Sequence, residues 1–114
     1  MIRSLQIIDT LRIGGAERMA INIANGLSNK NVESHICATR HEGQLKAALK
    51  SEVFYLFLNK KSVFDFKALF RLKKYIKKKE INVVHAHGTS FFLAVLVSFF
   101  VWDLKIIWHD HYGN

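Results

Sequence analysis

The pair Gly14 and Gly15 is the first feature of this sequence whose residue types could do chemistry. It lies between an apolar segment at positions 5–8, which predicts a buried strand, and the segment Ala16–Leu27, whose apolar residues recur at helical spacing. Glycines at such a junction let a ligand approach the backbone at a helix N-terminus, where free N–H groups favour anions. An ordinary strand-to-helix turn is the alternative, and Glu17 is favourable in the first helical turn under either interpretation.

The spacing of these glycines does not fit two common phosphate-binding motifs. The dinucleotide motif G-x-G-x-x-G and the P-loop motif G-x-x-x-x-G-K-[ST] are both absent. In addition, Glu33 lies at the start of the second predicted strand, whereas a ribose-binding acid belongs near its end. We therefore predict neither NAD binding nor a P-loop.

Four histidines form two H-x-H pairs, His85 with His87 in "HAH" and His109 with His111 in "HDH". On a strand, residues two apart point to the same face, an arrangement that metal ligands sometimes use. We favour single histidines that act by hydrogen bonding or as bases, because no separate carboxylate-rich segment completes a hydrolytic site. The prediction is therefore a site without a metal and without another cofactor.

Strand-like and helix-like segments alternate along the chain, which predicts an α/β fold with a parallel sheet flanked by helices. Ligands bind such sheets beyond the carboxyl ends of the strands. Residues 10–17, 85–90 and 109–114 should therefore lie at one edge. The predicted strands are residues 5–10, 32–40, 53–58, 81–87 and 104–110, and the predicted helices are residues 16–27, 44–49, 64–79 and 89–102.

The length of 114 residues allows one modest hydrophobic core. The single cysteine, Cys37, cannot form an internal disulfide, and the segment "SHICAT" predicts a buried strand, which fits a reducing cytoplasm. The start "MIRSLQIID" does not resemble a secretory signal. The longest apolar run, Phe91–Trp102, has 12 residues, whereas a membrane-spanning helix needs roughly 20. We expect a buried helix there, with a membrane-dipping segment as the alternative.

The chain carries 17 Lys and Arg residues against 9 Asp and Glu, a formal net charge of +8, and the excess lies mainly between Lys60 and Lys79. This segment can be the solvated face of a helix, or a surface that attracts anionic lipid. The lysines of the second interpretation are Lys73, Lys74, Lys77 and Lys78. We predict no nucleic-acid partner, because the segment lacks both the glycine-aromatic pattern of an RNA-binding sheet and a recognition helix.

Three segments together resemble a known family. They are "QIIDTLRIGGAERMAINIANGL", "INVVHAHGTSFFLAVLVS" and "KIIWHDHYGN", and they cover nearly the whole chain. In this order they resemble the N-terminal half of a family 4 glycosyltransferase, a retaining enzyme with two Rossmann-like domains in the arrangement called GT-B. The resemblance implies that residues 1–114 form an incomplete, acceptor-side N-terminal domain of the GT-B fold, without the C-terminal nucleotide-binding domain.

The resemblance also implies roles for individual residues. Gly14 and Gly15 of "GGAE" match the glycine-rich loop that approaches the donor phosphates or the acceptor, and His87 matches the second histidine of the fourth-strand pattern. A histidine that contacts the transferred sugar falls at His111 by spacing, with His109 as the competing assignment because many relatives read "HD" there. The implied catalytic residues are thus His111 and His109, and the implied substrate-binding residues are Gly14, Gly15, Glu17, His87 and Gly88.

The activity that the resemblance implies is transfer of a sugar from a nucleotide-sugar donor to a glycan or lipid-linked acceptor. The donor would be held mainly by the second domain, so we expect the fragment to be inactive alone. The expected location is the cytoplasm, with a peripheral position at the inner face of the membrane. Two alternatives are a non-catalytic remnant that binds a partner or a membrane, and a metal-dependent hydrolase that uses the H-x-H pairs.

Overall fold

A computed structural model describes residues 1–62 and 65–109, which form an α/β fold with one five-stranded sheet. All four strand pairings are parallel, and the strand order is β3-β2-β1-β4-β5. The strands are β1 Arg3–Thr10, β2 Glu33–His41, β3 Phe54–Phe57, β4 Val83–His87 and β5 Lys105–His109. The helices are α1 Gly15–Ser28, α2 Phe66–Lys78 and α3 Phe91–Ser98, and 3-10 turns cover Gln44–Ala48 and Gly88–Ser90.

This architecture confirms the predicted fold class of a Rossmann-like parallel sheet flanked by helices. Side chains alternate between the two faces of the sheet. Helices α2 and α3 cover the face that contains Leu5, Ile7 and Val84. Helix α1 covers the opposite face, where it packs on Ile8 and Ile36. Cys37 is fully buried in β2, as expected, and burial raises the pKa of its thiol, so this cysteine is not an activated nucleophile.

The last helix is shorter than the apolar pattern predicts. Helix α3 ends at Ser98, and the N–H groups of Phe99 and Phe100 donate to carbonyls three residues earlier, at 3.3 and 3.0 Å, as in a 3-10 turn. The chain then turns through Asp103, which has a left-handed φ of 61°. The prediction of a buried helix to Trp102 is therefore wrong for its last four residues, since Phe99, Phe100 and Trp102 are 76%, 45% and 94% exposed.

Helix α1 also differs in which residues it buries. Its buried side chains are Ala20, Ile21 and Ala24, while Met19, which the periodicity places in the apolar stripe, is exposed. The helix is therefore rotated about its own axis so that Ile21 faces the sheet, where it packs against β1 and β2. Within the described residues, each helix is either too short or too polar to cross a bilayer.

Candidate functional site

Three of the predicted site segments follow neighbouring strands at the carboxyl edge of the sheet. The loop with Gly14 and Gly15 follows β1, and the turn that starts at Gly88 follows β4, which pairs directly with β1. His109 ends β5 and lies opposite His87 in the β4–β5 pairing. The competing residue, His111, lies outside the described residues.

The glycine loop leaves open space at Gly15 but not at Gly14. Gly15 is the first residue of α1, and a Cβ atom there would have no heavy atom within 4 Å. At Gly14 a Cβ atom would overlap the carboxylate of Glu17, which lies beside the loop and 3.5 Å from Thr10 Oγ1. A ligand can therefore reach the backbone at Gly15, with the Glu17 carboxylate close by.

Gly43 supports this loop from the next segment, a role that the sequence pattern does not indicate. A Cβ atom on Gly43 would overlap the backbone of Leu11 and Arg12. The N–H of Leu45 donates to the carbonyl of Leu11 at 3.0 Å, so the turn at Gln44–Ala48 fixes the start of the loop. The sequence does not reveal this role of Gly43, because a single glycine between polar residues is typical of any turn.

Asp9 of β1 joins strand β2 to the turn after β4 at the same edge. Its Oδ1 accepts a hydrogen bond of 2.7 Å from the Thr39 hydroxyl of β2, and its Oδ2 accepts one from the Thr89 hydroxyl in the turn after β4. Hydrogen bonds to an ionised group are among the stronger ones in proteins. Asp9 therefore holds the ends of β2 and β4 in register with the end of β1.

His85, His87 and His109 form a cluster, here called the histidine cluster, at the carboxyl ends of β4 and β5. The ring centroids of His85 and His87 are 4.3 Å apart, and those of His87 and His109 are 5.9 Å apart. The three rings are stacked with interplanar angles between 4° and 26°. The strand pairing thus brings together both histidines of the first H-x-H motif and the first histidine of the second.

His87 is held most firmly. Its side chain is buried, and its Nε2 lies 2.7 Å from Oε1 of the buried Gln6, within hydrogen-bonding distance. The backbone N–H of His87 donates to Ser90 Oγ at 3.0 Å, and that hydroxyl donates to the carbonyl of Ile7. The bond to Gln6 ties the ring to β1, and the bonds through Ser90 tie the backbone of His87 to the same strand.

Gly88 provides the turn that follows His87. It adopts a left-handed φ of 60°, which glycine takes at little cost, and its carbonyl accepts a hydrogen bond of 3.1 Å from Trp108 Nε1. Trp108 also stacks on Phe91 with a centroid separation of 4.8 Å. The turn is therefore braced by β5 as well as by β1.

The histidine cluster could hold a metal ion only after rearrangement. One ligand atom of each histidine lies within 4.8 Å of the others, whereas tetrahedral zinc with Zn–N bonds near 2.0–2.1 Å needs nitrogen atoms about 3.4 Å apart. Across the described part of the chain, no carboxylate joins the group.

Comparison with known proteins gives two matches. The family model described as Glycosyltransferase Family 4 matches residues 13–114. The "Capsular polysaccharide biosynthesis glycosyltransferase CapH" of Staphylococcus aureus is 37% identical to this chain over 91 residues, which are 76% of this chain and 24% of the relative. The chain thus spans about a quarter of the length of the curated relative that it matches.

Proposed function

This chain belongs to glycosyltransferase family 4, and we propose that it supplies the acceptor-side part of a retaining transferase. The reaction moves a sugar from a nucleotide-sugar donor to a glycan or lipid-linked acceptor. The Staphylococcus aureus relative is named for capsular polysaccharide biosynthesis, and we propose a surface polysaccharide as the product of the present transferase.

The observation that carries this proposal is the grouping of the glycine loop, the turn at Gly88 and the histidine cluster on three consecutive strands of one sheet edge. The first helical hydrogen bond of α1 runs from the N–H of Arg18 to the carbonyl of Gly14. The N–H groups of the residues just before Arg18 therefore have no acceptor within the helix. Such amides bind anions or sugar oxygens. The Glu17 carboxylate beside the loop would repel a phosphate and accept bonds from sugar hydroxyls, which favours an acceptor sugar at Gly15.

Histidines at the carboxyl edge would donate hydrogen bonds to the transferred sugar. A preorganised donor aimed at developing charge contributes roughly 2–4 kcal/mol to transition-state stabilisation. By family resemblance this residue is His111, and His109 is the competitor two residues earlier. By the same resemblance we assign His87 to substrate binding, and its bond to Gln6 fixes the orientation of the ring.

An enzyme completed by fusion of residues 1–114 to the remaining part of the Staphylococcus aureus relative tests this assignment. His111→Ala should lower turnover about 10²–10³-fold with little change in nucleotide affinity. His109→Ala should mainly destabilise the end of β5. His41→Ala, at an exposed position at the end of β2, is the matched control and should leave both properties unchanged. A loss of turnover confined to His109→Ala would show that the assignment is off by two residues.

We propose that residues 1–114 alone do not catalyse transfer, because the nucleotide is held mainly by the second domain of the GT-B arrangement. The enzyme works in the cytoplasm, at the inner face of the membrane. A non-catalytic remnant is the alternative, and it predicts a fusion that folds but does not transfer sugar.

A metal-dependent hydrolase is a further candidate because the histidine cluster brings three ligand atoms within 4.8 Å. It requires zinc binding that depends on His109, whereas the transferase proposal requires no metal. A zinc titration therefore separates the two functions.

A further inference from the structure

Helix α2 and the turn after α3 meet where Phe70 lies beside Phe100, and together they form the surface here called the basic–aromatic surface. It is distant in the fold from the histidine cluster, because α2 and α3 pack on the sheet face opposite α1. Its members are four lysines of α2, of which Lys73 is half-buried and the other three are exposed, and exposed aromatic residues of α2 and of the turn after α3: Phe70, Lys73, Lys74, Lys77, Lys78, Phe99, Phe100 and Trp102.

The positive charge of this surface is not neutralised by the part of the protein that the structure describes. Helix α2 contains six basic residues and no acidic one. Lys73 and Lys77 are four residues apart, as are Lys74 and Lys78, so like charges repel on the same helix face. None of the ion pairs among residues 1–62 and 65–109 includes a lysine of α2. This uncompensated charge is complementary to an anionic partner.

Aromatic side chains lie directly beside these charges. Phe70 is 54% exposed, and its ring centroid is 6.5 Å from that of Phe100. The ammonium of Lys73 lies 5.9 Å from the centroid of Phe70 and 5.4 Å from that of Phe100. Beyond them, the turn after α3 exposes Phe99 and Trp102 almost completely. Clustered exposed aromatic residues mark interaction sites.

We propose that the basic–aromatic surface binds an anionic lipid bilayer, with Phe99, Phe100 and Trp102 inserted at the level of the head groups. Lysines attract anionic lipid while their stems lie along apolar surface, and aromatic rings are favourable at the membrane interface. Nucleic acid would satisfy the charges but offers no apolar layer to the turn after α3, whereas a bilayer supplies both the anionic surface and the apolar layer. For its biological role this inference rests on the proposed function, since it makes the membrane the partner that brings the site to its acceptor.

Bilayer binding through this surface fixes the orientation of the histidine cluster relative to the membrane. Because the histidine cluster lies on the α1 face of the sheet and the basic–aromatic surface lies on the α2–α3 layer, bilayer binding leaves the cluster open to substrate. The apolar turn after α3, which the sequence assigns to a buried helix, is instead the segment that dips into the membrane.

Vesicle binding by the chain itself tests this inference without any measurement of turnover. The chain should sediment with phosphatidylcholine vesicles that contain phosphatidylglycerol and much less with phosphatidylcholine alone. Replacement of Lys73, Lys74, Lys77 and Lys78 by glutamine should weaken binding at low salt by up to about 600-fold, at about fivefold per lysine. The matched control replaces four exposed lysines elsewhere and should lose less than about tenfold: Lys30, Lys50, Lys61 and Lys105.

Insertion is tested separately from attraction. In the wild type, brominated acyl chains should quench Trp102 fluorescence, and Trp102→Phe should bind equally well but lose that quenching, because only Trp108 remains. Replacement of Phe99, Phe100 and Trp102 by serine should leave binding to anionic vesicles at low salt. At high salt, where the charge attraction is screened, the same variant should bind roughly tenfold more weakly than the wild type, or weaker still. Circular dichroism checks that each variant is folded.

Three results would overturn the inference. One is absence of binding to phosphatidylglycerol vesicles by a folded chain. Another is an equal loss of binding in both lysine variants, which would mean that only net charge matters. The third is RNA binding or self-association that disappears in the surface variants while vesicle binding is absent, which would give the surface a different partner. Because none of these assays depends on catalysis, an inactive fusion enzyme would not contradict the membrane inference.

Discussion

Replacement of Gly43 by alanine tests whether the glycine loop is fixed by backbone contact. The backbone of Gly43 is extended, with φ −151° and ψ −178°, which any residue adopts, so the expected cost is steric alone. The added Cβ would overlap the backbone of Leu11 and Arg12, and backbone atoms cannot rotate away as a side chain can. Overpacking of this kind costs about 1–3 kcal/mol, and we expect the upper part of that range.

Urea unfolding monitored by circular dichroism measures the effect, with Gly26→Ala as the matched control. Gly26 lies in α1, and a Cβ there would have no heavy atom within 4 Å, so alanine should stabilise by roughly 0.5–1 kcal/mol through helix propensity. Gly43→Ala should instead lower the melting temperature by roughly 10 °C. A Gly43→Ala chain within about 0.5 kcal/mol of wild type would refute the claim that Gly43 holds the loop in place.

Two further predictions concern histidines. Burial lowers the pKa of His35 from 6.5, although its bond of 2.8 Å to Glu33 raises the pKa and so opposes this effect. Below pH 6.5 the unfolded chain therefore binds a proton at His35 that the folded chain does not yet bind. Stability should therefore fall as the pH drops from 6.5 toward the lowered pKa, with a slope approaching about 1.4 kcal/mol per pH unit. His35→Gln, which keeps hydrogen bonding without titrating, should flatten that slope in urea unfolding at several pH values, and an unchanged slope would contradict the account. Micromolar zinc should not raise the melting temperature, and a rise lost in His109→Ala but kept in His41→Ala would establish the metal-dependent alternative.

The sheet could be predicted from the sequence because each strand is a short apolar run between turn-forming or helical segments. The observed strands lie within two residues of the predicted ends over the described part of the chain. The end of α3 could not be predicted in this way, since the apolar run continues to Trp102. What ends the helix is the turn at residues 99–103 with its left-handed Asp103, and neither a glycine nor a proline marks it.

The site was predictable only in part, because its contacts join distant segments. The H-x-H pattern places His85 and His87 on one face, but their approach to His109 depends on β4 and β5 being neighbours in the sheet. Asp9 and Thr89 are 80 residues apart in sequence, so the bond between them follows from the strand order alone. A partner of this kind becomes visible only after the fold is known.

Sugar transfer by the fusion enzyme, measured with and without Gly15→Val, tests the central claim most directly. The fusion joins residues 1–114 to the remaining part of the Staphylococcus aureus relative, and the unmodified relative is the positive control. We expect transfer from a nucleotide sugar by the fusion. Gly15→Val should abolish it without unfolding the chain, because a side chain there would meet no other part of the protein and would enter the space that is proposed to hold the substrate. A folded fusion that binds nucleotide but transfers no sugar, or wild-type turnover by the Gly15→Val fusion, would contradict the account.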